Sequence, residues 1–206
     1  MAAGDAVALL GPNGSGKSTL LRILATAARP TAGDARVFGI STQDGDPVRR
    51  RVGLLADRAP LYDELTAVEN LRFAAAMYGV RASVEDLRAA LAEVGLARAA
   101  GAKVRTFSQG MLQRLSLART ALQDPDLVLL DEPYNALDVD GVRLVDQLLA
   151  SARARGKTAI LATHHIAKGL AHCSRVITLA GGRVSFDGPA ATFAASQAAL
   201  DAGSWE

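Results

Sequence analysis

Two hydrophobic rhythms alternate along this chain. Short, nearly unbroken apolar runs fill Asp5–Leu10, Asp126–Leu130 and Thr158–Thr163. Runs of this length predict strands buried on both faces, as in a parallel sheet. Between them the apolar positions recur at helical spacing. Leu20–Ala28 follows the first strand as an apolar helix, and Val68–Tyr78 reads as an amphipathic helix with Met77 and Tyr78 in its core. Leu115, Leu117, Ala118, Ala121 and Leu122 line one face of a third helix, with Ser108 ahead of it as a natural N-cap. Strands alternating with helices predict an α/β domain, a mainly parallel sheet flanked by helices.

Chemistry gathers where the predicted strands end. The first strand runs directly into Gly11, Pro12, Asn13, Gly14, Ser15, Gly16, Lys17, Ser18 and Thr19, and then into the first helix. This is the pattern G-x-x-x-x-G-K-[ST] in a strand–loop–helix setting. Its glycines let consecutive N–H groups turn toward an anion, and the helix that starts near Lys17 aims its positive end at the same point. Lys17 adds a mobile charge for the β- and γ-phosphates of a nucleotide, and the Ser18 hydroxyl can ligate Mg²⁺.

The second strand ends in Asp131-Glu132-Pro133, which puts two carboxylates at the ligand-binding edge of an open sheet. There Asp131 can hold Mg²⁺ and Glu132 can orient or deprotonate a water, unless the pair is simply the acidic first turn of a helix. The strand Thr158–Thr163 ends in His164-His165. A histidine at that edge can hydrogen-bond a terminal phosphate and the attacking water, or cap the following helix. His172 reads as a surface or satisfied residue. Ser108 and Gly110 open the third helix, either as a plain cap or as a second anion site made of a hydroxyl and free N–H groups.

Composition narrows the classes. The 206 residues suit one domain with room for an inserted subdomain. Net charge is only +2, and Arg49-Arg50-Arg51, the one dense basic run, reads as a solvated turn, so nucleic acid is not an expected partner. The single Cys173 excludes an internal disulfide and reads as a small buried residue. No stretch approaches the about 18 apolar residues that cross a bilayer, and no signal peptide is evident, so a cytosolic location is expected.

Taken in order, these motifs resemble the nucleotide-binding subunit of an ABC transporter along nearly the whole chain. Gly11–Thr19 matches the Walker A loop, and Leu127–Glu132 with Pro133 matches Walker B and its glutamate. Phe107–Met111 occupies the signature segment, Ala136-Leu137-Asp138 the loop that touches a partner subunit, and His164 the switch histidine. The tail Arg175–Val184 with Asp187-Gly188 also fits the family. The resemblance implies a P-loop NTPase core of ABC type, with a helical subdomain inserted at about 62–122. It implies ATP and Mg²⁺ as ligands and ATP hydrolysis at Glu132, His164 and Lys17. It further implies a head-to-tail dimer, or a paired ABC subunit, in which Ser108 and Gly110 of one chain close on the nucleotide of the other. A membrane-spanning permease would then hold the chain peripherally at the cytoplasmic face of a bacterial membrane.

The chain departs from the family pattern in three respects. Gln109 and Met111 replace the usual glycine and glutamine of the signature, while Ser108 and Gly110 remain. Asp57 stands where a glutamine normally contacts Mg²⁺ and links the site to the membrane subunit; its carboxylate could reach the metal but would repel phosphate. Finally, the first strand opens almost at Met1 and no aromatic precedes Gly11, so the family's N-terminal strands and adenine-stacking residue are expected upstream of a truncated start. Glu69–Phe73 and Leu137–Val142 resemble the ATP-binding subunit of the haem exporter of cytochrome c maturation. A drug, lipid or polysaccharide exporter subunit is the alternative, and a soluble, non-transport ABC ATPase fits less well.

Overall fold

The computed structural model describes residues 4–56, 61–135 and 137–203. Its strands are β1 (Ala6–Leu10), β2 (Arg36–Val37), β3 (Ile40–Ser41), β4 (Val52–Leu55), β5 (Leu127–Asp131), β6 (Thr158–Thr163), β7 (Arg175–Ala180) and β8 (Arg183–Pro189). Its helices are α1 (Lys17–Leu24), α2 (Asp46–Arg49), α3 (Ala67–Tyr78), α4 (Val84–Glu93), α5 (Gln109–Gln123), α6 (Val139–Ala154), α7 (Ile166–His172) and α8 (Ala190–Gly203). Six strands form one sheet in the order β4-β5-β6-β1-β7-β8, parallel throughout except for the final β7–β8 pair, and β2 and β3 form a separate small hairpin.

The apolar runs are continuous because both faces of the sheet are covered. Ala8, Leu10, Val128, Leu130, Ala159 and Leu161 point into a core shared with α3 to α7, while Leu9, Leu127, Leu129, Ile160 and Ala162 point to the opposite core, with Leu21 of α1 and Val48 of α2. Alternation along each strand feeds the two cores in turn. The register sets Leu10 beside Thr163 and Asp131 beside Ala162, so β1, β5 and β6 deliver their carboxyl ends side by side at one edge.

Local signals explain the helical region. Thr66 Oγ1 accepts from the Glu69 N–H at 3.3 Å while Glu69 Oε2 accepts from the Thr66 N–H at 2.8 Å, a capping box that opens α3. Ser83 and Asp86 repeat it at α4, with bonds of 3.1 and 2.8 Å. Between 62 and 122 the described residues hold α3, α4, most of α5 and two short 3₁₀ turns, with no strand beyond an isolated bridge from Thr66 to Lys103.

Two expectations need correcting. The first helix stops at Leu24 rather than Ala28: Thr26 turns into the left-handed region at φ 58°, and Ala27 and Ala28 fold back to hydrogen-bond the Arg22 carbonyl. Met77 is not core but 61% exposed, because the buried stripe of α3 runs through Ala67, Leu71, Ala74 and Ala75. Tyr78 is half-buried, and its hydroxyl accepts from Arg119 at 2.9 Å. Cys173 is buried, and that burial pushes its thiol up to about 12. No helix among the described residues is long and apolar enough to cross a membrane.

Candidate active site

The phosphate loop is shaped by backbone that favours glycine. Gly11 has φ 153°, and a Cβ there would meet the Leu179 carbonyl oxygen at 2.4 Å and the Ser15 hydroxyl at 2.7 Å. Gly14 and Gly16 sit at φ 79° and 105°, and Gly16 is the N-cap of α1. The loop is tied down by Ser15 N–H donating to the Pro12 carbonyl at 3.2 Å and Gly182 N–H donating to the Ser15 carbonyl at 3.1 Å. The N–H of Leu20 donates to the Gly16 carbonyl, so those of Lys17, Ser18 and Thr19 lie ahead of the first helical donor. These donors border a cavity of about 190 Å³ lined by Asn13, Gly14, Ser15, Gly16, Lys17, Ser18, Thr19 and Glu132.

Lys17 is only 5% exposed, and its ammonium is satisfied by donating to the carbonyls of Gly11 at 2.7 Å and Pro12 at 3.2 Å. The same Nζ lies 3.7 Å from Glu132 Oε1, too far for a hydrogen bond but close enough for an ion pair. Ser18 Oγ donates to Asp131 Oδ1 at 3.0 Å, joining the start of α1 to the end of β5. Burial raises the Asp131 carboxyl above its ordinary range; the Ser18 hydroxyl pulls it down and the neighbouring Glu132 charge pushes it up again. A buried carboxylate beside a hydroxyl is a hard-oxygen pair that suits Mg²⁺. Among the described residues no group of three acidic, histidine or cysteine side chains surrounds it.

Glu132 occupies the left-handed region at φ 47°, uncommon for a side chain with a Cβ. The turn lifts its carboxylate off the sheet edge, with Oε2 3.0 Å from His164 Nδ1. Its own N–H still donates to the Ala162 carbonyl at 2.9 Å, so the strain is anchored to β6. The two open readings of the histidines separate here. His165 holds the N-cap position of α7 without a side-chain cap bond, and its ring stacks 3.9 Å from that of His164, which faces Glu132. The bland reading of Asp131 and Glu132 as an acidic first helical turn fails, since Asp131 closes β5 and the next helix begins at Val139.

Ser108 is exposed and caps its own helix, its Oγ accepting from the Met111 N–H at 3.3 Å, with Gly110 in the first turn of α5. Asp57 and Ala136 lie outside the described residues. Two supports of the site were not anticipated. Gln113, a buried polar residue on the inner face of α5, donates to the Pro133 carbonyl at 3.5 Å. Arg114 clasps both oxygens of Asp138 at 2.7 and 2.8 Å, while Asp138 caps α6. A polar residue breaking an apolar helical face was the available signal for Gln113; nothing in the linear spacing pairs Arg114 with Asp138.

This edge, with a glycine loop, a buried lysine, a serine–aspartate pair and a raised glutamate, can be compared with known families. The model of the family described as ABC transporter matches residues 1–135. The chain belongs to the ABC transporter family. It is an ATP-binding domain of the ATPase type found there. Among its relatives, the cytochrome c biogenesis ATP-binding export protein CcmA 2 of Cupriavidus metallidurans is 41% identical over 165 residues, covering 80% of this chain and 78% of that protein. The phosphonates import ATP-binding protein PhnC of Anaeromyxobacter dehalogenans is 39% identical over 204 residues, 91% of this chain, and the chain spans 41% of PhnC's length. Among solved ABC structures, an ATP-binding subunit of an ABC transporter superposes with a TM-score of 0.86 at 30% identity, covering 95% of this chain and 83% of that one. A dimeric post-hydrolysis state of the ATP-binding cassette MJ0796 with ADP and Pi gives 0.81 at 32% identity, covering 92% and 87%.

Proposed function

We propose that this chain is the ATP-hydrolysing motor subunit of an ABC exporter, acting as a dimer beneath a membrane-spanning permease at the cytoplasmic face. The observation that carries hydrolysis is Glu132, lifted by its left-handed backbone between the Lys17 ammonium at 3.7 Å and His164 at 3.0 Å, at the mouth of the phosphate loop. In this reading the N–H groups of the loop and Lys17 hold the β- and γ-phosphates, and Ser18 and Asp131 hold Mg²⁺. When bound, that cation neutralises phosphate charge. Glu132 accepts a proton from a water whose oxygen attacks the γ-phosphorus. The bond from that phosphorus to the bridging oxygen breaks, leaving ADP and inorganic phosphate. His164 keeps the Glu132 carboxylate turned toward the water.

The helices at about 62–122 form the inserted subdomain in this proposal, and Ser108 at the tip of α5 closes on the nucleotide of the second chain. Haem export for cytochrome c maturation is the specific cargo reading, supported by the 41% identity to CcmA 2 over four fifths of this chain. Glu132→Gln tests the catalytic core. It should keep ATP affinity, lower turnover by at least about a hundredfold and accumulate a closed ATP-bound dimer. Turnover at the parent rate would remove Glu132 from the mechanism. Cargo is a separate question, answered by whether a haem-handling membrane protein co-purifies.

A further inference from the structure

The strained Glu132 is only two residues from Tyr134, whose contacts reach an unexpected part of the fold. Tyr134 Oη donates to Asp146 Oδ1 of α6 at 2.9 Å. The same Oδ1 lies 3.0 Å from His172 Nε2, at the last residue of α7. Lys168, one turn earlier on α7, places its ammonium 4.9 Å from the centre of the Tyr134 ring. The phenol is half-buried, and burial followed by the Asp146 hydrogen bond pushes its ionisation far up, so it stays a donor.

These contacts close a ring. Going one way from Glu132, the chain passes through Pro133 to Tyr134, across to Asp146, and on to His172 at the end of α7. Going the other way, Glu132 Oε2 meets His164 Nδ1, two residues before the start of α7. α7 is therefore fastened near both ends to the loop that carries Glu132. It is also seated close on β1: a Cβ on Gly169 would meet Leu10 Cδ2 at 3.0 Å and Ala8 Cβ at 3.1 Å. A short helix pinned at both ends and against the sheet has little freedom to rotate, and the separation of His164 from Glu132 is fixed with it. A left-handed glutamate needs such support, because its backbone energy favours relaxation.

From this geometry we infer that Tyr134, Asp146 and His172 are positioning residues that hold Glu132 and His164 in register through α7. The inference rests on the role given to Glu132 and adds three residues that touch neither nucleotide nor water. The Tyr134 hydrogen bond and the close approach of His172 to the same carboxylate oxygen supply the hold, and the ring works as a unit because each contact depends on the next.

The test uses the purified full chain. Tyr134→Phe deletes one hydroxyl, His172→Leu removes the ring nitrogen that faces Asp146, and His172→Gln keeps a polar nitrogen near the Nε2 position. Tyr134→Phe and His172→Leu should each lower kcat by roughly ten- to a hundredfold, the scale of a small misplacement of a reacting group, with ATP affinity unchanged. The double variant should be no worse than either single one, and His172→Gln should keep most of the parent rate. Ring signals of His164 in ¹⁵N-histidine NMR spectra should move in Tyr134→Phe. A parent-like kcat with unmoved His164 signals overturns the inference, as does a lower melting temperature with unchanged kcat per folded molecule. Multiplying losses in the double variant would also overturn it, since separate contacts do not form a unit. If Glu132→Gln turns over at the parent rate, it is the catalytic reading that fails, and the His164 signals alone then judge the ring.

Discussion

A methyl group on Gly11 would lie 2.4 Å from the backbone oxygen of Leu179, which β7 holds in place, whereas one on Gly14 would meet nothing within 4 Å. Both residues have positive φ, so both substitutions cost backbone strain, about 1–2 kcal/mol each. Only the first also forces the loop to move. Gly11→Ala should therefore weaken ATP binding by at least about tenfold beyond Gly14→Ala, since a displaced loop misaims its N–H donors. Calorimetric titration of both variants checks this, and equal affinities would show that the contact with Leu179 does not shape the loop. The same strain reasoning separates Glu132 from ordinary strand ends. A residue at φ 47° outside glycine is tolerated because the Ala162 carbonyl, His164 and the Tyr134 contacts all bear on it.

α3 shows how a helix is specified at its ends while its faces stay ambiguous. Thr66 and Glu69 form the box that opens it, and Gly79 at φ 71° closes it. Thr66→Ala should lose about 1 kcal/mol of stability at neutral pH. The N–H of Thr66, and then its hydroxyl, hold the Glu69 carboxyl below its ordinary range. A lowered carboxylate contributes stability above its unfolded pKa and loses it as pH falls through the folded value. The gap in melting temperature between parent and Thr66→Ala should accordingly narrow once pH drops through the lowered Glu69 value. A gap of constant size across that range would mean that the Thr66 hydroxyl does not act through the Glu69 charge. The Ser108 cap of α5 was legible in the linear sequence, as were β1, β5 and β6, since strands covered on both faces leave unbroken apolar runs. The faces of α3 were not. Leu71, Ala74 and Ala75 are buried while Phe73 and Met77 on the same helix are exposed, so apolar residues surround the axis and spacing alone cannot choose a side. The Tyr134–Asp146–His172 contacts were equally hidden, because they join three elements that only the folded topology brings together.

For the molecule as a whole, the phosphate loop, Asp131, Glu132 and His164 meet at one sheet edge, whereas Ser108 stands exposed at the start of α5 with its hydroxyl spent on the Met111 N–H. Under the proposed head-to-tail pairing, each nucleotide needs the loop of one chain and the Ser108 end of the other. That arrangement makes a sharp demand on mixtures. Lys17→Ala removes the charge that holds phosphate but leaves its Ser108 end intact. Ser108→Arg blocks that end with a bulky side chain but leaves its own loop intact. Each variant alone should be nearly inactive, since a pair of either kind contains no complete site. Mixed together they should regain part of the parent turnover, because a mixed pair assembles one complete site from the Ser108→Arg loop and the Lys17→Ala helix end. The recovery should depend on total protein concentration and on ATP, both of which drive pairing. A mixture that stays inactive, although both variants fold and associate, would show that the sites are not shared. A Ser108→Arg chain that keeps the parent rate unaided would show that α5 of a second chain does not close on the nucleotide.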